Sequence, residues 1–212
     1  MIHQVGINVM LFLFCTQLIG QNTFNGFISA GAITSQISGD GFYGFGQYGV
    51  KIGLGSSISL RGKSTIVGEL GFSQKGARKY QSSSDFTTYQ LRLDLVNASI
   101  RLEYPFCNDF FIGSGFLIEI PMNSKEVSQF GPINTDRPFN RFLIGYMLAF
   151  GKKINQNFSM DLGLENSILP VRKHDHTQVY PPNNLILGDW HNNILNKGQF
   201  LTAVFLSFHY HF

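Results

Sequence analysis

The last seven residues, Leu206-Ser207-Phe208-His209-Tyr210-His211-Phe212, alternate strictly between apolar and polar side chains. Successive side chains of a strand point to opposite faces, so this segment forms a strand with one greasy face and one wet face. The run ends on an aromatic at the last residue of the sequence. A closing strand with Phe208, Tyr210 and Phe212 on one side has the form of the assembly signal of outer-membrane barrels, which makes the barrel-assembly machinery an expected partner.

The alternation recurs along the chain. Eight strand candidates cover about 26–38, 48–60, 65–79, 87–104, 110–122, 141–153, 158–172 and 199–212. The second sets Val50, Ile52, Leu54, Ile58 and Leu60 against Lys51, Ser57 and Ser59. The third sets Ile66, Leu70 and Phe72 against Glu69, Ser73 and Lys75. The sixth sets Phe142, Ile144, Tyr146, Leu148 and Phe150 against Arg141, Gly145 and Ala149, and the seventh sets Phe158, Met160, Leu162 and Leu164 against Asp161 and Glu165. The eighth sets Phe200, Val204, Leu206, Phe208, Tyr210 and Phe212 against His209 and His211. An Arg or Lys at the lipid midplane of a barrel wall costs about 2–4 kcal/mol, so apolar faces free of charge are what a bilayer requires.

Connections alternate between tight turns (Arg61–Ser64, Pro105–Asp109, Ile154–Asn157) and longer loops, notably Asn123–Asn140 and Lys173–Gly198. Short periplasmic turns and long outer loops are the pattern of outer-membrane barrels. The expected fold is an all-β, eight-stranded antiparallel up-and-down transmembrane barrel with a closed polar interior. Outer-membrane lipid then surrounds it. A soluble lipocalin-like barrel is the rival, and it would reverse the faces.

Composition supports the membrane reading. Charged residues make up 14% of the 212 residues, against about 25% in an ordinary soluble domain. There are 21 Phe and 23 Gly, and no apolar run after residue 20 approaches the ~18 residues of a membrane helix. The formal net charge is +3, and no Lys/Arg cluster suits a nucleic acid. Residues 1–20 read as a secretory signal peptide with a short apolar core from Val9 to Phe14, leaving 21–212 as the barrel domain. Phe14 stands where a lipoprotein signal at Cys15 would need a small residue. Cys107 alone remains after cleavage, so no internal disulfide forms and no metal or other cofactor is implied.

One strand breaks the pattern. Leu91, Leu93 and Leu95 are odd, whereas Ile100, Leu102 and Tyr104 are even. A β-bulge near Asn97 would restore the alternation. A turn inside 87–104, giving nine strands, is the other solution. The inward positions then hold Lys51, Glu69, Lys75, Arg92, Asp94, Arg101, Glu103, Glu119, Arg141, Asp161 and Glu165. Buried charges cost several kcal/mol each unless paired. This set is therefore expected to form an ion-pair network that seals the lumen, a pillar and not a pore.

The segment Ile37-Ser38-Gly39-Asp40-Gly41, then Gly44-Phe45, Tyr48-Gly49, Glu69 and Gln74-Lys75-Gly76, resembles the PorT-like family of outer-membrane β-barrel proteins, with Gln47 where the family often has Lys. The resemblance implies a signal peptide, an eight-strand barrel and, for some members, a link to the type IX protein secretion system.

Other motifs carry less. Gly39-Asp40-Gly41-Phe42-Tyr43-Gly44 fits G-x-G-x-x-G, but a strand follows where dinucleotide binding needs a helix. His174, His176, Asp189 and His191 are metal-ligand types in one loop, with solvated histidines as the default reading. Leu185-Ile186-Leu187 and Trp190 form an apolar patch away from the wall, a candidate interaction loop for a protein partner. The expected role is non-catalytic: a structural or protein-interaction component, accessory to secretion or surface assembly. The alternative is a barrel enzyme, a lipid or peptide hydrolase or acyltransferase, using loop or lumen histidines such as His174 or His209.

Overall fold

The computed structural model describes residues 24–40, 44–60, 63–81, 86–133, 138–173 and 198–212. The expected signal peptide at 1–20, the loop histidines and the patch Leu185, Ile186, Leu187 and Trp190 lie outside the described residues.

The described strands are β1 (Phe24–Ser38), β2 (Gln47–Ser59), β3 (Thr65–Lys79), β4 (Tyr89–Cys107), β5 (Phe110–Ser128), β6 (Gly131–Pro132), β7 (Leu143–Lys153), β8 (Phe158–Ser167) and β9 (Phe200–His211). All pairings are antiparallel, in the order β4-β3-β2-β1-β9-β8-β7-β5, and β4 pairs β5 to close the ring. The wall is thus an eight-stranded barrel. The two-residue β6 only folds back on the end of β5 (Val127↔Pro132, Ser128↔Gly131). First and last strands meet over Phe27↔His211 to Ser38↔Phe200, so no edge is left exposed.

The turns explain themselves locally. Asn108 takes φ 42°, a left-handed conformation that Asn tolerates, and links β4 to β5. Asn155 Oδ1 accepts from the backbone N–H groups of Asn157 (2.9 Å) and Phe158 (2.8 Å), an Asx turn between β7 and β8. Leu60 N–H donates to Ser64 O at 2.9 Å between β2 and β3. These three tight turns share one end of the barrel with the start of β1 and the end of β9, where Phe212 N–H donates to Gly26 O. The second turn is tighter than its sequence suggested, since β4 runs through Pro105 to Cys107.

A belt of apolar side chains faces outward. Ile52, Leu54, Leu70, Ile100, Leu102, Ile112, Phe116, Ile118, Leu148, Phe150 and Leu162 are all exposed. Phe208, Tyr210 and Phe212 join them on the closing strand, with Phe158 against Tyr210 at 5.1 Å. Phe200, expected on this outer face, is instead fully buried. Inward glycines leave room for rings. A Cβ on Gly163 would lie 2.2 Å from the Phe205 ring, and one on Gly55 would lie 2.1 Å from the Phe27 ring.

β4 carries no bulge near Asn97, nor a turn. Its register with β3 is unbroken from Thr65↔Glu103 to Lys79↔Tyr89, and Leu91, Leu93 and Leu95 are fully buried inside the barrel. The irregularity lies on β5, where Asn123 pairs Asp94 and Pro121 pairs Leu95, leaving Met122 extra. Proline has no N–H for the ladder, which favours a break there. A second shift leaves Phe106 extra beside Pro105. The Met122 bulge reverses parity on β5: Glu119 faces inward before it, and Glu126 faces inward after it.

Candidate functional site

The barrel interior holds three layers between the tight-turn end and the loop end. Inward positions of β2, β3, β5 and β8 bring four ionised groups together in the middle. Lys51 Nζ lies 2.5 Å from Glu165 Oε1, Lys75 Nζ lies 2.6 Å from Glu119 Oε1, and Lys75 also contacts the second oxygen of Glu165. All four side chains are buried. Lys51 further sits 4.0 Å above the Phe205 ring. Removing one member would leave an uncompensated buried charge, which is why the pairs hold one another in place.

Toward the tight-turn end, Arg101 Nε donates to Glu103 at 2.8 Å and Nη1 donates to Asp161 at 2.7 Å. His209 Nε2 lies 3.1 Å from the other oxygen of Asp161. Glu69 accepts from Ser29 Oγ at 3.3 Å. Ser159 Oγ is 2.9 Å from His211 Nε2, and Phe27 packs against both imidazoles. Arg101, Glu103, Ser159, His209, His211 and Phe27 line a cup of about 610 Å³ that opens at the tight-turn end, with Asn25, Ser57, Asp109 and Lys153 at its walls.

Toward the loop end the interior is apolar. Ile37, Ala77, Leu91, Leu93, Leu95, Leu143, Val171 and Leu201 form one buried cluster with Tyr89. A second cluster of Ile33, Leu117, Met147, Ala149, Ala203 and Phe205 lies beside the ion-pair layer. The interior is therefore closed, and polar only in part. Above the first cluster, Arg172 donates two bonds to Glu126 (2.9 and 2.8 Å) and one to Gln199 (2.6 Å), while Tyr89 Oη donates to Glu126 at 2.6 Å. Backbone bonds between Val171, Arg172 and Gln199 pin the two ends of the 173–198 connection together.

The inward set divides. Lys51, Glu69, Lys75, Arg101, Glu103, Glu119, Asp161 and Glu165 share the lumen. Three assignments are corrected. Arg92 and Asp94 point outward, with side chains 45% and 22% exposed, because β4 never changes parity. Arg141 precedes β7 and is exposed, bordering an outer depression with Met122 and Asn123. Of the expected set the interior thus contains three strong cations against five carboxylates, Arg172 and Glu126 add one of each at the loop end, and His209 lies beside the most enclosed carboxylate, Asp161. Sequence reasoning missed the Arg172–Glu126 clasp. Pro121, a ladder-breaking residue between Glu119 and Glu126, was the available sign of the parity switch.

Among the described residues no group of three or more His, Cys, Asp or Glu is arranged to hold a metal ion. The Ser159–His211 pair has no carboxylate bonded to its imidazole, since Asp161 partners His209 instead.

No family model matches the sequence, and no curated protein matches it. Solved structures do. Neisserial surface protein A, NspA, aligns with a TM-score of 0.52 at 10% identity, covering 88% of this chain and 97% of that one. The fold is that of an outer-membrane β-barrel. Ail, the attachment invasion locus protein of Yersinia pestis, aligns at 0.48 and 14% identity, covering 89% of this chain and 99% of that one. A major outer membrane protein from Thermus thermophilus aligns at 0.48 and 15%, covering 90% and 100%. With an apolar belt outside, ion pairs inside and no free edge, this outer-membrane barrel meets the bilayer's demand that backbone polar groups be satisfied internally.

Proposed function

We propose that the protein is a non-catalytic pillar of the outer membrane that presents its outer loops to a protein partner, in the accessory role to secretion or surface assembly that the PorT-like resemblance implies. The observation that carries the reading is the sealed interior. The ion-pair layer and the apolar cluster both lie across the interior among the described residues, which argues against conduction. The bonds between Val171, Arg172 and Gln199 join both ends of the connection that carries Leu185, Ile186, Leu187 and Trp190, and Glu126 anchors Arg172, an arrangement suited to display.

The test is affinity isolation of the full chain from native membranes with a tag between β3 and β4. A defined protein co-isolates with the wild type and is lost on deleting 181–195. Recovery of the same complexes from the deletion variant rejects that loop as the contact surface, and a barrel isolated alone rejects the partner.

One observation favours a second reading. Ser159 and His211 are a hydroxyl and an imidazole in hydrogen-bond contact on the wall of an open cup. A hydrolase of this kind predicts lipid or peptide turnover abolished by Ser159→Ala and by His211→Ala. Unchanged turnover in both variants removes it.

A further inference from the structure

The outward face of the wall changes character at one level. On β4 and β5 the outermost lipid-facing apolar residues are Val96, Ile120 and Met122. The next row holds Gln74, Asp94 and Asn123, and the row beyond holds Gly76, Arg92 and Lys125. Two residues along a strand advance about 6–7 Å, or about 5 Å along the membrane normal at a barrel strand's tilt. Arg92 and Lys125 therefore stand in the headgroup zone at the loop end.

Arg92 and Lys125 are direct cross-strand partners, and both are exposed. Like charges directly opposite one another destabilise a ladder. Arg92's other neighbour is Gly76, which has no side chain to offer. Arg78 adds a third cation on β3, exposed and seated over the Tyr80 ring at 4.6 Å. Among the described residues Asp94 is the carboxylate in contact, 3.3 Å from Arg92 Nε, and it is shared with Gln74 (3.1 Å) and Asn123 (3.3 Å). Three cations thus face one divided carboxylate at the level where lipid phosphates lie.

We propose that Arg78, Arg92 and Lys125 form a binding site on the outer wall for the phosphorylated headgroup of an outer-leaflet lipid. The phosphate fills the gap between Arg92 and Lys125, turning a repulsive pair into a shared grip. Arg presents a planar fork that matches phosphate oxygens, and Lys adds a point charge. The acyl chains descend along Val96, Ile120 and Met122. The lipid is thereby held at both ends.

The experiment is native mass spectrometry of the full chain in neutral detergent, with bisphosphorylated lipid A as the probe. The wild type retains it, and the R92Q/K125Q variant binds at least tenfold more weakly, about fivefold per cation removed. K63Q, at the tight-turn end, binds as the wild type does. Equal retention by R92Q/K125Q, or by the wild type with the dephosphorylated lipid, overturns the proposal. Displacement by millimolar inorganic phosphate would show a free-anion site and overturn the lipid source. A structural role for the pair predicts a less stable R92Q/K125Q without lipid, whereas relief of repulsion predicts stability that is equal or higher. If that variant fails to fold, R78Q carries the test: about fivefold weaker binding supports the site, and no change sinks it.

Discussion

Lys75 is the most demanding single residue in the barrel. It is buried among Glu119 and Glu165 and has nothing else to neutralise them from its own strand. Lys75→Met keeps the length and removes the charge. It leaves two carboxylates with one cation between them, and the barrel is expected to lose about 3–5 kcal/mol. Urea unfolding in lipid vesicles measures this, and a loss below about 1 kcal/mol would show that the layer tolerates an unpaired carboxylate. Leu70 makes the opposite point from outside. It is 67% exposed, so in water Leu70→Arg would be nearly neutral. In a bilayer the same change costs about 2–4 kcal/mol. Vesicle refolding distinguishes the two, and a neutral result would argue against lipid at this face.

At the scale of the element, β4 and β5 cross a boundary between solvents. Below Val96 the strand shows apolar residues outward and Arg101 and Glu103 inward, as lipid requires. Above it the polarity inverts: Leu91, Leu93 and Leu95 turn inward while Arg92 and Asp94 turn outward. Reading the sequence with one rule for the whole strand made this inversion look like a bulge. The alternation itself was legible, and with it the strand count, the closing strand and eight of the lumen charges. What was not legible was where lipid stops, because periodicity records faces and says nothing of what each face touches. Arg141 escaped for a related reason: it sits two residues before β7 begins. The Met122 bulge supplies a test at this scale. Glu126→Ala leaves Arg172 buried without its carboxylate, and the expected loss is about 3–5 kcal/mol. Deleting Met122 restores straight pairing and keeps Glu126 opposite Leu91, so the clasp with Arg172 survives and little of that loss is expected. A deletion variant that loses as much as Glu126→Ala would show that the extra residue is needed to seat Glu126.

For the whole molecule, the layers make a barrel open at one end and stoppered at the other. Planar bilayers holding the purified protein are expected to show no stepwise conductance. Discrete steps would contradict the sealed interior. The resemblance to NspA extends over nearly the full length of both chains, yet at 10% identity it speaks to architecture alone. Shared folds do not transfer activity, so the likeness carries no role over to this chain.

The cup at the tight-turn end has a consequence for the cell. Water and small solutes can fill its roughly 610 Å³ from the tight-turn end, and the ion pairs and apolar cluster of the described residues lie beyond it. Such a protein can be made in abundance without eroding the envelope's barrier to toxins, detergents or drugs. Crowding the surface with it carries no permeability penalty, a freedom that an open pore of the same girth would never have.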